Sequence, residues 1–285
     1  MSYKRHIFDR SGFAASSDLK SSDWKHIFDK LDREQAEFLS KERSFRSPNY
    51  TWPRDPLHTW SRAWEYPYAY YHLDKIKNKG KVEQLKAADI GSGVTFFPFS
   101  IAKLGFEVTC VDIDPICAID IPAASKVLNC EPGRVAVGLI ANDRIPLEDS
   151  SQDAVYCISV LEHIPNFETT INEVYRILKP GGIFILTVDI DLRGDYELGS
   201  EEFDNLIKLI DEKFSWEVSE RPVHPVNMLT SLNSPYAMKP RSIKYLLRDL
   251  VRYLRIGDMT TINPRAPHSL AVHSAILTKA GTEID

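Results

Sequence analysis

The sequence predicts an α/β fold, doubly wound around a mostly parallel seven-stranded sheet, with a helical N-terminal extension and an insertion before the last strand. Three observations predict it. From Lys86 onward, short apolar runs alternate with helix-patterned stretches, as βαβ units do. The strand candidates are rich in Val and Ile without polar alternation, which fits a sheet covered on both faces. The first of them opens AADIGSGVTFFPFS (87–100), where an acid precedes two glycines one residue apart, a turn similar to that of dinucleotide-binding chains.

Taken in order, residues 1–85 form the extension and 86–285 the main domain, with the insertion at about 219–267. The extension begins polar and becomes strongly aromatic in YTWPRDPLHTWSRAWEYPYAYYH (50–72). Tyr66, Ala69, Tyr70 and Leu73 share one face of a helix that Pro67 would start. Packing on the domain is one reading of that face. A lid that brings Tyr66 and Tyr70 to a bound ligand is the other, while Trp60 and Trp64 read as core. Strands are expected at 86–90, 107–112, 134–140, 153–159 and 183–188, with the last near 269–278. Asn166 caps a helix whose Ile171, Val174, Ile177 and Leu178 line one face, and Pro180, Gly181 and Gly182 stop it. A helix at 201–213 repeats the spacing with Phe203, Leu206, Ile207 and Ile210. In the insertion a helix at 241–255 sets Lys244, Arg248, Arg252 and Arg255 opposite Ile243, Leu246, Leu247 and Leu250. Such a charged stripe usually means a solvated face.

Composition narrows the classes. A chain of 285 residues, 43% hydrophobic and 26% charged, is long enough for a full core. The net charge of −5 argues against a nucleic-acid partner, which needs a concentrated positive surface. No apolar run approaches the ~18 residues of a membrane span and no signal-like segment opens the chain, so a cytoplasmic protein without a membrane partner is expected. Cys110, Cys117, Cys130 and Cys157 lack zinc-ligand spacing. Cys110 and Cys157 fall within strand candidates and read as buried thiols.

The glycine turn departs from the dinucleotide pattern. A GxGxxG motif needs its third glycine for close helix packing, and Phe96 stands there. Asp112, ending VTCVDID, supplies the acid for a ribose. Asp89 precedes the first glycine. A pyrophosphate gains little from a carboxylate at that edge, whereas a cofactor carrying an ammonium and a sulfonium can use one. At these residues the chain resembles the class I S-adenosylmethionine-dependent methyltransferases, in their small-molecule, type 11-like branch with a Rossmann-like fold. DIGSG (89–93) is similar to their first motif and VDID (111–114) to the end of their second strand. IPLEDSSQDAVYCISVLEHIP (145–165) is similar to the run through strand four, and RILKPGGIFILTV (176–188) to the entry of strand five.

The resemblance implies roles for matching positions. Asp89 and the backbone of Gly91, Ser92 and Gly93 would hold the methionine part of S-adenosyl-L-methionine, Asp112 the ribose and Ile113 one adenine face. Asn142 or Asp143 would meet the adenine amino group, and the Ser159 backbone the cofactor amine. The implied function is methyl transfer to oxygen or nitrogen of a small-molecule acceptor by in-line displacement. An NAD(P)-dependent oxidoreductase and a non-catalytic S-adenosylmethionine-binding protein are the alternatives. Several of these residues have plainer readings: Asn142 and Asp143 suit a turn, and Glu162 and His163 suit a loop brace. For proton removal His163 is preferred, with Asp189, Asp191 and His224 as further candidates near the acceptor. Asp189 and Asp191 raise a metal reading, but SVLEHI offers no evident third oxygen ligand, so no metal site is expected. The basic stripe of the insertion would favour an anionic acceptor if it bordered the site.

Overall fold

The computed structural model describes residues 5–79, 84–192, 198–237 and 269–280. Among them eight strands form one sheet: β1 (Gly12–Phe13), β2 (Leu85–Ile90), β3 (Phe106–Asp112), β4 (Val135–Leu139), β5 (Gln152–Ile158), β6 (Leu178–Asp191), β7 (Phe214–Trp216) and β8 (Leu270–Lys279). Their order is β1-β8-β6-β5-β2-β3-β4, with β7 also paired to β8. Strands β2 to β6 are parallel, and β8 returns antiparallel to β6. The α-helices among the described residues are α1 (Ser22–Lys41), α2 (Arg62–Lys79), α3 (Phe97–Lys103), α4 (Cys117–Val127), α5 (Phe167–Ile177) and α6 (Ser200–Lys213). The predicted helix at 241–255, with its basic stripe, lies outside the described residues.

The expected seven strands become eight because the N-terminal segment supplies β1, which pairs antiparallel with β8 through Gly12 and Phe13. Two residues are too few to show alternation. The strand is held by side-chain bonds instead: the Ser11 hydroxyl donates to the Val218 carbonyl at 2.7 Å and accepts from the Ile276 N–H.

Each face of the sheet buries its own cluster. One is aliphatic, where Ile171, Val174 and Ile177 of α5 and Leu206 and Ile210 of α6 meet Phe184, Leu186 and Val188. The other is aromatic and joins α1, α2 and α3 through Phe38, Trp64, Tyr66, Tyr68, Phe97 and Phe99. Trp60 and Trp64 are buried here, as expected of core residues. Helix α2 is buried nearly all round, and its sequence accordingly shows no polar stripe.

Pro67 does not start α2; it lies inside the helix, which begins at Arg62. A proline at that place removes the N–H that the carbonyl four residues earlier would accept. That carbonyl belongs to Ala63, and the Trp24 indole donates to it at 2.7 Å. The helix passes through its proline because α1 supplies the missing donor.

Strand β6 begins earlier than the predicted 183, since Leu178 already pairs with Gln152 before the ladder resumes at Ala154 and Ile183. The Pro180-Gly181-Gly182 run is the bulge between them. Gly181 has φ +75°, and a Cβ on Gly182 would stand 2.8 Å from the Lys179 carbonyl oxygen.

The chain runs β2, β3, β4 to one edge and then crosses back to place β5 on the other side of β2. That reversal makes the crevice beyond the C-terminal ends of β2 and β5 the place where such sheets bind ligands. Arg176 fixes the crossover, bonding the Ile145 and Leu147 carbonyls and the Glu173 and Asp149 carboxylates. Two of the sequence stretches quoted above are thus tied together by a structural arginine.

Candidate active site

The glycine turn is built against both of its neighbours. Gly91 takes φ +69° and Gly93 φ +52°, a region that side chains disfavour. A Cβ on Gly91 would fall 2.5 Å from Cγ1 of Val160, so the loops after β2 and β5 touch only because Gly91 has none. Across the other boundary, the Gly93 N–H donates to Oδ2 of Asp112 at 2.8 Å, and the Asp114 N–H donates to Oδ1 at 2.9 Å. Phe96 fills the place of the absent third glycine and meets Tyr66 edge-on at 5.5 Å. Above the turn, the Tyr50 hydroxyl donates to the Val94 carbonyl at 3.3 Å, and the Arg46 guanidinium lies over the Tyr50 ring at 4.2 Å.

Beyond Asp112 the surface opens. Ile113 is 76% exposed, an unusual position for an isoleucine beside a buried acid. The Ile140 N–H donates to the Asp112 carbonyl at 2.9 Å and sets the next turn alongside. Asn142 and Asp143 are the two central residues of that turn, with φ +50° and +57°, closed by Arg144 N–H to Ala141 carbonyl at 3.1 Å. The turn reading holds for both, and both are exposed beside Ile113's strand end.

On the β5 side, Ser159 has φ +46° although it is not a glycine and is only 2% exposed. Strained residues of this kind concentrate at functional sites. Its hydroxyl lies 2.7 and 2.9 Å from the two carboxylate oxygens of Glu65, and its carbonyl accepts from Arg62 at 3.3 Å. Arg62 also pairs with Glu65 at 3.4 Å. Glu65, fully buried, thereby ties the first turn of α2 to the end of β5. Arg62 feels the further charges of Asp189 and Glu162, and it is the cation that lowers the Asp89 carboxyl against larger opposing effects. Burial first, and then the charge of Asp112, hold Asp89 well above the usual carboxylate range. Burial also pushes the Glu162 carboxyl up to about 7. The Cys110 and Cys157 thiols are raised by burial as well, which leaves them inert.

The predicted residues divide accordingly. Asp89, Gly91, Ser92, Gly93, Asp112, Ile113 and Ser159 come together at the switch of the sheet, and Asn142 and Asp143 border it. Tyr66 belongs to the same wall, stacked on Phe97 at 4.5 Å and within the electrostatic reach of Asp89. Tyr70 lies a turn farther along α2, where Lys30 donates to its hydroxyl. Asp189 is buried at the end of β6 and its N–H donates to Glu162 at 3.2 Å. His163 is exposed on the turn beside Glu162, whereas Glu162 points inward. His224 is exposed in the segment that pairs with the N-terminal residues, where it caps a short turn at Pro225–Asn227. Sequence reasoning missed Arg62 and Glu65. Their signal was an oppositely charged pair three apart inside an otherwise aromatic run. Among the described residues no three His, Cys, Asp or Glu side chains converge to hold a metal ion, and no helix is long and apolar enough to cross a membrane.

Comparison with known proteins agrees with this arrangement. Residues 88–186 match the family model described as a methyltransferase domain. Over those residues the chain carries a methyltransferase domain. A sterol 4-C-methyltransferase of Caenorhabditis elegans is 31% identical over 126 residues, covering 42% of this chain and 35% of that protein. A ubiquinone biosynthesis O-methyltransferase of Xanthomonas oryzae is 27% identical over 140 residues, 48% of this chain and 54% of that one. The chain therefore spans about a third to a half of these curated relatives. Among solved structures, a putative sarcosine dimethylglycine methyltransferase of Galdieria sulphuraria aligns over 74% of this chain and 85% of its own, at TM-score 0.50 and 15% identity. The [4+2]-cyclase SpnF aligns over 96% and 100%, at TM-score 0.53 and 17% identity. These likenesses establish the Rossmann-like fold that the methyltransferase domain adopts, and the nicotinamide alternative is not favoured.

Proposed function

We propose that the protein is an S-adenosylmethionine-dependent methyltransferase acting on a small-molecule acceptor. The observation that carries this reading is the matched domain's glycine turn, locked by Asp112 and lying beside an exposed Ile113 and the buried acid Asp89. The residues fit the cofactor chemically. A carboxylate at a strand end suits a ribose diol, an exposed isoleucine beside it suits an adenine face, and Asp89 suits a positively charged methionine moiety. Gly91, Ser92, Gly93 and the Ser159 backbone complete the cradle, and Asn142 or Asp143 reaches the adenine edge. Arg62 is the cation placed to receive the methionine carboxylate.

When bound, the cofactor supplies an electrophilic methyl group on a sulfonium. The chain's own task is then alignment, with Tyr66, Ser159 and Glu65 forming a fixed wall. Where the acceptor is a hydroxyl, His163 takes its proton from the exposed side of the turn. Asp189, His224 and Tyr70 are held as acceptor contacts of lower rank, Tyr70 because Lys30 engages its hydroxyl. Around Arg62 stand Glu65, Asp89, Glu162 and Asp189, a surplus of carboxyl groups that favours a neutral or cationic acceptor over an anionic one. Calorimetry with S-adenosylmethionine, S-adenosylhomocysteine and NAD tests the reading. Binding of the first two is expected; tight NAD binding without them would overturn it. Methyl turnover then separates an enzyme from a binding protein.

A further inference from the structure

Glu162 is an inward-facing carboxyl that the proposed function leaves without a task. Its Oε1 accepts the Asp189 N–H at 3.2 Å, while its Oε2 is shut off from solvent and meets no hydrogen-bond partner among the described residues. An ionised carboxylate has about four acceptor positions to satisfy, and a bare buried oxygen is costly to ionise. The groups facing it are Arg62 and Glu65 from α2, Asp189 from β6, Cys157 from β5 and His163 on its own turn. Arg62 uses its nitrogens on Glu65, the Ser61 hydroxyl and the Ser159 carbonyl, so it acts on Glu162 through space. Burial raises the carboxyl to about 7 and Glu65 adds to the effect, while its own backbone N–H opposes it most, followed by His163 and Arg62. Glu162 therefore stands near the midpoint of its titration, one guanidinium away from Ser159.

Such a group responds to any change of charge nearby. The methyl donor carries a positive sulfur and the product a neutral thioether, while the rest of the two molecules is the same. We infer that Glu162 is the proton-linked counter-charge of the cofactor's sulfur, ionised when the sulfonium is bound and protonated when the thioether is, and so sets the preference for donor over product. The inference rests on the methyl-donor reading of the site. It makes Glu162 a positioning residue that acts through the field, since its free oxygen is enclosed.

The sign follows from linkage. A ligand that favours the ionised carboxyl gains affinity as pH rises through the titration, relative to one that does not. If the sulfonium draws the proton equilibrium down by about one pKa unit, the affinity ratio of S-adenosylmethionine to S-adenosylhomocysteine rises roughly sixfold between about pH 5.5 and 7.5. Calorimetric titration of the full chain with the two compounds across that range measures the ratio. Repeating the donor titration near pH 6.5 in buffers of different ionisation enthalpy measures the proton released. Asp89 also titrates high, so Glu162→Gln separates the two: the variant is expected to bind both compounds with a ratio that no longer changes with pH. Should that variant fail to fold, the separation is made from the other side: in Asp89→Asn, proton release on donor binding and none on product binding carries the inference, and loss of that release overturns it. A flat ratio in the wild type, or an unchanged slope in Glu162→Gln, overturns it. If neither compound binds at any pH, the methyl-donor reading itself fails, and the inference with it.

Discussion

Replacing Gly91 by alanine strikes the closest contact in the site. Two separate costs arise there, and the structure allows them to be told apart. The residue sits at φ +69°, where a Cβ costs about 1–2 kcal/mol. That Cβ would also lie 2.5 and 2.6 Å from the two Cγ atoms of Val160, and overpacking of this kind costs about 1–3 kcal/mol. The sum is about 2–5 kcal/mol. Gly93 provides the comparison, since at φ +52° its added Cβ would meet nothing nearer than the Tyr50 hydroxyl at 3.4 Å, leaving only the backbone cost of about 1–2 kcal/mol. Urea unfolding of Gly91→Ala, Gly93→Ala, Val160→Ala and the Gly91→Ala/Val160→Ala pair gives the four numbers required. The pair is expected to recover about 1–2 kcal/mol of the overpacking but none of the backbone strain. Calorimetry with S-adenosylhomocysteine should show affinity lost in Gly91→Ala and partly regained in the pair. Equal destabilisation by the two glycine substitutions, with no coupling to Val160, would refute the argument that the touching loops shape this turn.

Three further outcomes are expected. Asp112→Asn keeps one carbonyl for the Gly93 and Asp114 N–H groups but offers no charge to a diol, so S-adenosylhomocysteine affinity should fall about 10- to 100-fold, the worth of a charged hydrogen bond; calorimetry beside a melting curve separates binding from folding. Trp24→Phe strands the Ala63 carbonyl that Pro67 leaves open and should cost about 1–3 kcal/mol in urea unfolding, less in a Pro67→Ala background, where the helix regains its own N–H. The raised Glu162 carboxyl keeps its proton in the folded chain up to about pH 7, so the stability it contributes is present at acid pH and is lost as pH rises through about 7. Melting curves from pH 5 to 8 should therefore fall less steeply for Glu162→Gln than for the wild type.

The parallel strands were legible because a sheet covered on both faces demands continuous apolar runs, and VTCVDI and DAVYCI allow no amphipathic helix. The glycine turn was legible for a related reason: Asp89, Gly91, Gly93 and Asp112 lie close together in sequence, on one turn and the strand end beside it. The wall facing it was not. Arg62 and Glu65 reach Ser159 across more than ninety positions of chain, and only the packing of α2 brings them there. In the pair Glu162-His163, sequence reasoning chose the residue with the familiar titration range, whereas burial gives that range to its neighbour. Strand β1 escaped for want of length. Pro67 misled because its usual place at a helix start is a rule about N–H groups, and Trp24 meets that rule from another helix.

Whether the N-terminal segment opens over the cofactor or stands fixed follows from what α2 would lose. Trp64 and Tyr68 are fully buried, stacked at 4.6 Å, and bonded to Asp18 and to the Arg10 carbonyl. Aromatic side chains bury about 150–250 Å² each, so exposing these two would cost about 8–12 kcal/mol at about 25 cal/mol per Å². That is comparable with the whole stability of an ordinary domain. Swinging α2 away would therefore amount to unfolding the segment, and the N-terminal residues from 5 to 20 that wrap it would go with it. Helix α2 is better understood as a wall that holds Arg62 and Glu65 at a set distance from Ser159. A rigid wall of this kind supplies the alignment on which the proposed methyl transfer depends, and it explains how its first turn can hold a fully buried Glu65 against the partly exposed Arg62.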